Sequence, residues 1–250
     1  MPADIILETD GLTKGIDLSV ILPVHNEARS LPILWEEVTA ALAANGGSAE
    51  VIFVDDGSTD GGDAIIRAMC GRDARVRLVR LAANAGLSAA MDAGLRRARG
   101  RIIVTLDSDL QNDPRDIVTL VSRLDGWDAV TGWRRDRHDP WLKRLSSRVA
   151  NAVRNRVLGD TVRDSACGLR AMHRRCLPDL PRFRGFHRFI PSLLRLAGYR
   201  VIEVPVNHRP RRFGASHYGL RNRARAASED LLAVRWMKAR WLRYEATEEP

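Results

Sequence analysis

Cysteine is scarce in this chain of 250 residues, which holds only Cys70, Cys167 and Cys176. An odd number with no Cys-x-x-Cys pair supplies neither a disulfide framework nor a zinc site, and it fits a reduced, cytoplasmic compartment. Long apolar runs are missing too. The longest stretch without Asp, Glu, Lys or Arg, residues 38–49, is 12 residues long, whereas a bilayer-spanning helix wants roughly 20 apolar residues. No transmembrane helix is expected. The opening MPADIILETDGL carries acids where a secretion signal would have basic residues and then an apolar run, so export is not expected. Aromatic residues number 14, too few for a clear stacking platform on single-stranded nucleic acid. Neither a Walker A loop nor Gly-x-Gly-x-x-Gly occurs. The segment Asn84-Ala85-Gly86-Leu87 matches neither, so the ATPase and dinucleotide readings lose their main support.

Charge is plentiful and unevenly placed. Residues 1–132 hold 13 basic and 20 acidic side chains, and residues 133–250 hold 27 and 11, so a half of net −7 precedes one of net +16 within the overall +9. The halves therefore face different partners. A basic half suits nucleic acid, anionic lipid or a phosphorylated substrate, or is simply a solvated arginine-rich surface.

Residues 18–24, 51–54, 76–81 and 102–106 are short aliphatic or β-branched runs, and each leads through polar residues into a stretch with helical spacing. The helices are expected at 30–44, 61–70, 87–99 and 114–124. This β-α-β-α rhythm predicts an α/β fold with a mostly parallel sheet, because right-handed crossovers join parallel strands. A further strand is expected at 127–131. The alternation then weakens into helices near 141–158 and 187–197 and a strand at 200–206. With no internal repeat and no Gly/Ser linker, the expected organisation is one domain, 1–220, followed by a basic carboxyl-terminal segment, 221–250.

Ligands of such sheets bind beyond the carboxyl ends of the strands. Two of those ends are acidic. The second strand runs into Asp55-Asp56-Gly57-Ser58-Thr59-Asp60, where a nucleotide fits and where Ser58 or Asp60 serves equally well as a helix cap. The fourth runs into Asp107-Ser108-Asp109-Leu110-Gln111, with two carboxylates and an amide oxygen at alternate positions, on one side of an extended chain. Hard oxygen ligands in that pattern suit Mg²⁺ or Mn²⁺ bridging to substrate phosphates. The bland alternative is a solvated turn capped by Asp113.

Taken in order, Leu22-Pro23-Val24-His25-Asn26-Glu27, Val54-Asp55-Asp56-Gly57-Ser58-Thr59-Asp60, Asn84-Ala85-Gly86, Asp107-Ser108-Asp109-Leu110-Gln111 and His208-Arg209-Pro210-Arg211-Arg212-Phe213-Gly214-Ala215-Ser216 resemble family 2 glycosyltransferases of the dolichyl- or polyprenyl-phosphate sugar synthase type. The resemblance spans roughly residues 18–218. It implies a GT-A-like fold and inverting transfer of a sugar from GDP-mannose or a UDP-sugar to a polyprenyl phosphate. Pro23, Glu27, Asp55, Asp56 and Asn84 would then lie at the donor, while Asp107, Asp109 and Gln111 would hold Mg²⁺ or Mn²⁺ on its diphosphate. Asp109, Arg211 and Asp164 become the catalytic candidates. At the acceptor phosphate the resemblance points to Arg134, Arg211 and Ser216, with Lys143 and Ser147 standing where the family has Arg-x-x-x-Ser. Lys143 keeps the charge but loses the guanidinium fork, and His217 replaces a usual lysine. Asp164, in Asp164-Ser165-Ala166-Cys167-Gly168-Leu169-Arg170, orients the acceptor or an arginine, or is an arginine-paired structural carboxylate in a loop.

Charge logic agrees independently. A phosphate monoester has a second pKa near 6, so it is a nucleophile at neutral pH without a strong base, and planar guanidinium groups grip it bidentately. The rival enzyme reading, transfer to a saccharide hydroxyl, needs a carboxylate base and no phosphate clamp. A basic nucleic-acid-binding protein, the non-enzyme alternative, leaves the strand-end acids without a role, so no nucleic acid is expected as partner.

Residues 209–243 hold ten basic and two acidic side chains, net +8, together with Trp236 and Trp241. As a helix, Leu231, Val234, Met237, Trp241 and Leu242 form a stripe interrupted by Lys238. Trp, Leu and basic residues combined in this way suit a peripheral enzyme on an anionic membrane surface, at its cytoplasmic face. A helix packed on the domain, or on a twin subunit in a homodimer, is the alternative.

Overall fold

The computed structural model describes residues 15–135, 141–214 and 220–242, without the side chains of 141–146 and 220–226. Its centre is a seven-stranded sheet. Strand β1 (Leu18–Val24) has all seven residues buried, as a strand covered on both faces must. It pairs in parallel with β2 (Ala49–Asp55) on one side and β4 (Ile102–Thr105) on the other, and β3 (Val76–Arg80) lies beyond β2. Beyond β4 come β6 (Arg170–His173), β5 (Ala129–Arg134) and β7 (Val201–Val206), giving the order β3-β2-β1-β4-β6-β5-β7. Strand β6 is antiparallel to both neighbours, and the other pairings are parallel, as the mostly parallel expectation requires.

Helices α1 (Leu31–Asn45), α2 (Gly62–Arg72), α3 (Leu87–Leu95) and α4 (Asp116–Ser122) follow β1 to β4. The alternation of the strands splits the core. Val20, Leu22 and Phe53 face one side, where Leu34 and Leu42 of α1, Ile66 of α2 and Leu120 of α4 cover them. Ile21, Ile52 and Ile103 face the other, under Ala90 and Leu95 of α3. On that second side, α5 (Trp141–Leu158), α6 (Ile190–Leu196) and α7 (Leu220–Ala239) add Leu158, Leu193 and Val234 to the same core.

The order in which strands are added reverses about β1. Chain order runs outward to β2 and β3 on one flank and crosses to β4 on the other, so a crevice opens at the carboxyl ends of β1 and β4. The acid-bearing turns meet there.

Candidate active site

Backbone bonding welds the loops at that edge together. Asp56, at the end of β2, is 3 % exposed, and its two oxygens accept the amides of Ala85 at 2.7 Å and Gly86 at 2.9 Å. The loop after β3 is thereby tied to β2, with Asn84 Nδ2 placed 3.1 Å from His25 Nδ1. Asp55 points inward. It is fully buried, with Oδ1 accepting the Ser58 amide at 3.0 Å and Oδ2 lying 3.6 Å from Arg80 Nε. Pro23 keeps its carbonyl for Ser108, whose hydroxyl donates to it at 2.8 Å and so joins the ends of β1 and β4.

The turn after β4 carries the two acids expected to meet a metal. Leu110 adopts a φ of +63°, a left-handed conformation that costs a β-carbon residue roughly 1–2 kcal/mol. Its side chain is 3 % exposed, and burial of a leucine, about 1.5–3 kcal/mol, offsets that cost. The kink lets Asp109 Oδ1 accept the Gln111 amide at 3.1 Å and leaves Asp109 Oδ2 facing Arg211 Nη1 at 3.6 Å. Burial first, then the charge of Asp109, raises the Asp107 carboxyl to about 6, while Arg170, Arg134 and Arg211 pull the other way. Gly168 permits this crowding. A β-carbon there would stand 2.1 Å from Asp107 Oδ2, and the Gly168 carbonyl is anchored by the Thr105 hydroxyl at 2.7 Å.

Arg211 joins the donor-side acids. Its guanidinium hydrogen-bonds the carboxylate of Glu27 and donates through Nε to the Phe213 carbonyl at 2.9 Å. Glu27 is 8 % exposed and also accepts the Ser30 hydroxyl at 2.8 Å. Burial raises its pKa, with Asp109 adding to the rise and Ser30 and Arg211 opposing it. Arg134 forms a fork with Asp164, Nε to Oδ2 at 2.7 Å and Nη2 to Oδ1 at 2.9 Å. The contact is the arginine pairing that both the orienting and the structural readings of Asp164 call for.

Asp107, Asp109, Glu27, Arg134 and Arg211 are thus brought together. Gln111 lies at the rim, with its side-chain nitrogen 3.4 Å from His208 Nε2. Ser147 sits half-buried on α5. The side chain of Lys143, and all of Ser216 and His217, lie outside the described residues.

Sequence reasoning gave no role to Arg170. It is 3 % exposed on β6, its Nη2 donates to the Ser165 carbonyl at 3.3 Å, and its charge acts on both Asp107 and Asp164. The available signal was an arginine ending the run Cys167-Gly168-Leu169, which is otherwise suited to burial.

Among the described residues, no three His, Cys, Asp or Glu side chains form a group able to hold a metal ion. A cation of the Mg²⁺ type needs only one or two carboxylates when substrate phosphates and water complete its shell. The Asp107–Asp109 pair fits that role, since its mutual repulsion is what a divalent cation relieves.

The chain is 36% identical over 244 residues to the dodecaprenyl-phosphate galacturonate synthase of Rhizobium johnstonii, covering 95% of this chain and 71% of that protein. It is 38% identical over 205 residues to the undecaprenyl-phosphate 4-deoxy-4-formamido-L-arabinose transferase of Edwardsiella ictaluri, covering 81% of this chain but only 63% of that relative's length. Glucosyl-3-phosphoglycerate synthase of Mycobacterium tuberculosis, solved with phosphoglyceric acid, superposes with a TM-score of 0.66 at 24% identity over 90% of this chain and 80% of that one. The same synthase solved with Mn²⁺, uridine diphosphate and glucosyl-3-phosphoglycerate gives 0.65 at 23%, with the same coverage. These likenesses establish the GT-A-like fold. Residues 19–180 match the model of Glycosyl transferase family 2, and the chain belongs to that family.

Proposed function

We propose that this glycosyltransferase moves a sugar from a nucleoside diphosphate to the phosphate of a polyprenyl lipid, with inversion at the anomeric carbon. The observation that carries the reading is the two-signed site, with Asp107 and Asp109 on one strand end and Arg134, Arg170 and Arg211 close enough to act on Asp107. One set of charges suits a metal-bound diphosphate and the other a phosphate acceptor. Both named relatives are polyprenyl-phosphate sugar transferases by name, which supports the same acceptor class.

In this reading the donor lies along Pro23, Glu27, Asp56 and Asn84, and Asp55, buried beneath them, acts by holding the Ser58 amide. Asp56 contributes chiefly by fixing the Ala85–Gly86 amides. Asp107 and Asp109, with Gln111 beside them, would hold Mg²⁺ or Mn²⁺. When bound, that ion supplies Lewis-acid stabilisation of the charge gathering on the departing diphosphate. Arg211 and Arg134, with Lys143, Ser147 and Ser216, grip the acceptor phosphate. Asp164 holds the Arg134 fork in orientation and touches no reacting atom. One acceptor phosphate oxygen then forms a bond to the anomeric carbon as the bond from that carbon to the diphosphate oxygen breaks. The products are a polyprenyl-phosphate sugar and a nucleoside diphosphate. The acceptor is already an anion, so no side chain has to remove a proton.

The lipid acceptor calls for a membrane-facing surface. No described helix is long and apolar enough to cross a bilayer. Residues 221–250 are the proposed peripheral element, working on an anionic surface at the cytoplasmic face. Helix α7 turns Val234, Leu231 and Met237 onto the core and leaves Leu232 and Trp236, each 63 % exposed, outside beside the exposed Arg235 and Arg240. Val149 and Val153 of α5 are exposed as well. Trp and Leu flanked by arginine suit a lipid interface, and a homodimer contact is the competing use of the same face.

Incubation with polyprenyl phosphate and a panel of GDP- and UDP-sugars, read by mass spectrometry of the lipid fraction, tests the activity. A sugar-phosphate lipid is expected, and Asp109→Asn or excess EDTA should abolish it. Transfer to a soluble saccharide without any lipid product would overturn the acceptor assignment.

A further inference from the structure

At the opposite edge of the sheet from the acids, the amino ends of β1 and β4 and the end of β6 line an open pocket of about 360 Å³. Gly15 and Ile16 lead into it, and Arg99, Arg101, His173, Arg174 and Arg175 complete its wall. Arg101 and Asp107 are six residues apart along an extended strand, about 20 Å at roughly 3.3 Å per residue. The pocket therefore shares no residue with the active site.

Its wall is fixed by the backbone. Gly100 passes so close to β1 that a β-carbon on it would stand 2.5 Å from the Ser19 amide nitrogen, and its own N–H donates to Ser19 Oγ at 2.8 Å. On either side, the Arg99 amide donates to Glu50 Oε1 at 2.7 Å and the Arg101 amide to the Ile16 carbonyl at 3.0 Å. The Arg174 amide donates to the Arg101 carbonyl at 2.8 Å, which carries the arginines after β6 under those before β4.

Four guanidinium groups face two carboxylates. Arg101 is engaged by Asp17 and Arg175 by Asp128. Arg99 and Arg174 have no acidic partner among the described residues, and Arg174 Nη1 reaches the Arg99 carbonyl at 3.2 Å, so the two arginines sit side by side. The positive field is felt locally. Burial first, then Arg175 and Arg101, lowers the pKa of His173, against the opposing charge of Asp128.

We propose that this pocket is a second anion site, which binds a compact phosphate or diphosphate group through the forks of Arg99 and Arg174. Two adjacent planar forks match the many oxygens of such a group. Among the described residues no Phe, Tyr or Trp lines the wall, and the recognition proposed is of the phosphate oxygens. The same chemistry is offered by a soluble diphosphate and by the phosphomonoester headgroup of a lipid.

Equilibrium dialysis of the full chain with labelled pyrophosphate in EDTA keeps metal-dependent binding at the active site out of the measurement. Vesicles of phosphatidylcholine doped with phosphatidic acid, applied to a Leu232→Ser/Trp236→Ser background, supply the lipid arm without the α7 face. Arg99→Ala/Arg174→Ala, at two exposed positions, should weaken the binding at least tenfold with an unchanged thermal midpoint. Because Arg211 is itself proposed to grip a phosphate, the comparison is repeated on an Arg211→Ala background, where the loss caused by Arg99→Ala/Arg174→Ala should persist. Loss of pyrophosphate binding in the double variant supports a soluble ligand. Loss of vesicle retention alone supports a headgroup. If wild-type protein binds neither probe, or binds them as the double variant does, the site does not exist.

Discussion

Gly168→Ala isolates the steric demand of the acid pair. The added β-carbon would lie 2.1, 2.4 and 2.5 Å from Oδ2, Cγ and Oδ1 of Asp107, inside any tolerable contact. Gly168 is not among the residues with positive φ, so the substitution carries no backbone penalty and its whole effect is the collision. The backbone is held by the Thr105 hydroxyl on the Gly168 carbonyl, leaving the Asp107 side chain to swing away. Overpacking of this kind costs about 1–3 kcal/mol, or roughly 2–12 °C in Tm at about 2–4 °C per kcal/mol for a chain of this size. Activity should suffer more, because a displacement of about 1 Å at a reacting centre costs on the order of 10²-fold. The expected pattern in a metal-titrated transferase assay is a turnover lowered about 10²-fold and a raised metal requirement, with a modest loss of stability. Gly71→Ala is the control, since a β-carbon there meets nothing within 4 Å, and it should match or slightly exceed the parent in stability. Wild-type turnover and metal dependence in Gly168→Ala would show that Asp107 has no fixed place in the reaction.

Three other outcomes follow from named contacts. Arg211→Lys keeps the charge beside Glu27 and Asp109 but loses the fork, so turnover should fall roughly 10²-fold while the donor KM barely moves; a collapse of donor affinity with normal acceptor use would assign Arg211 to the donor alone. Asp160 is penalised by burial, yet Ser192, the Thr161 amide and Arg195 hold its pKa below the ordinary value. Its contribution to stability is therefore complete above about pH 4 and is lost as pH falls through the depressed folded value, and Asp160→Asn should flatten the acid limb of Tm against pH; an unchanged limb would refute the linkage. Leu232→Ser/Trp236→Ser should weaken co-sedimentation with anionic liposomes at low salt without lowering Tm, because both side chains stand outside the core; equal co-sedimentation would leave the face to a protein partner.

The parallel part of the fold was legible because its signals are local. Strands β1, β2 and β4 are aliphatic runs buried on both faces, or nearly so, β3 at the edge buries only Val76, and the expected limits of all four fall within two residues of those observed. The helix after β3 was expected to reach residue 99 but ends at Leu95, since the segment from Arg99 to Arg101 is drawn under β1 by Gly100. Strand β6 could not be read. It is four residues long, Arg-Ala-Met-His, and two of the four are basic. Its β-structure comes from the gap between β4 and β5, which it fills with antiparallel bonds to both. The carboxyl-terminal stripe was half legible. Periodicity put Leu231, Val234, Met237, Trp241 and Leu242 on one stripe, but the helix ends at Ala239 and leaves Leu242 exposed, so only the first three form the face that the core claims.

At the site, sequence identified the residue types at each strand end but not their pairings. Arg134 and Asp164 are 30 positions apart, and Arg211 and Glu27 are 184 apart. No local pattern links such partners, and the difference matters chemically. A guanidinium taken from water is expensive unless an acid meets it, and the acid that meets it also fixes its plane. Each arginine proposed for the acceptor phosphate therefore arrives with an orienting carboxylate, Asp164 for Arg134 and Glu27 for Arg211. Those acids subtract charge from the site, so the net pull on an anionic acceptor is smaller than the count of arginines implies. Arg170 has no hydrogen bond to a carboxylate among the described residues, yet its charge opposes the rise of the Asp107 carboxyl. Its place behind Asp107, on the one strand that periodicity missed, lets the sheet supply positive charge to the acid pair without using either arginine that faces the acceptor.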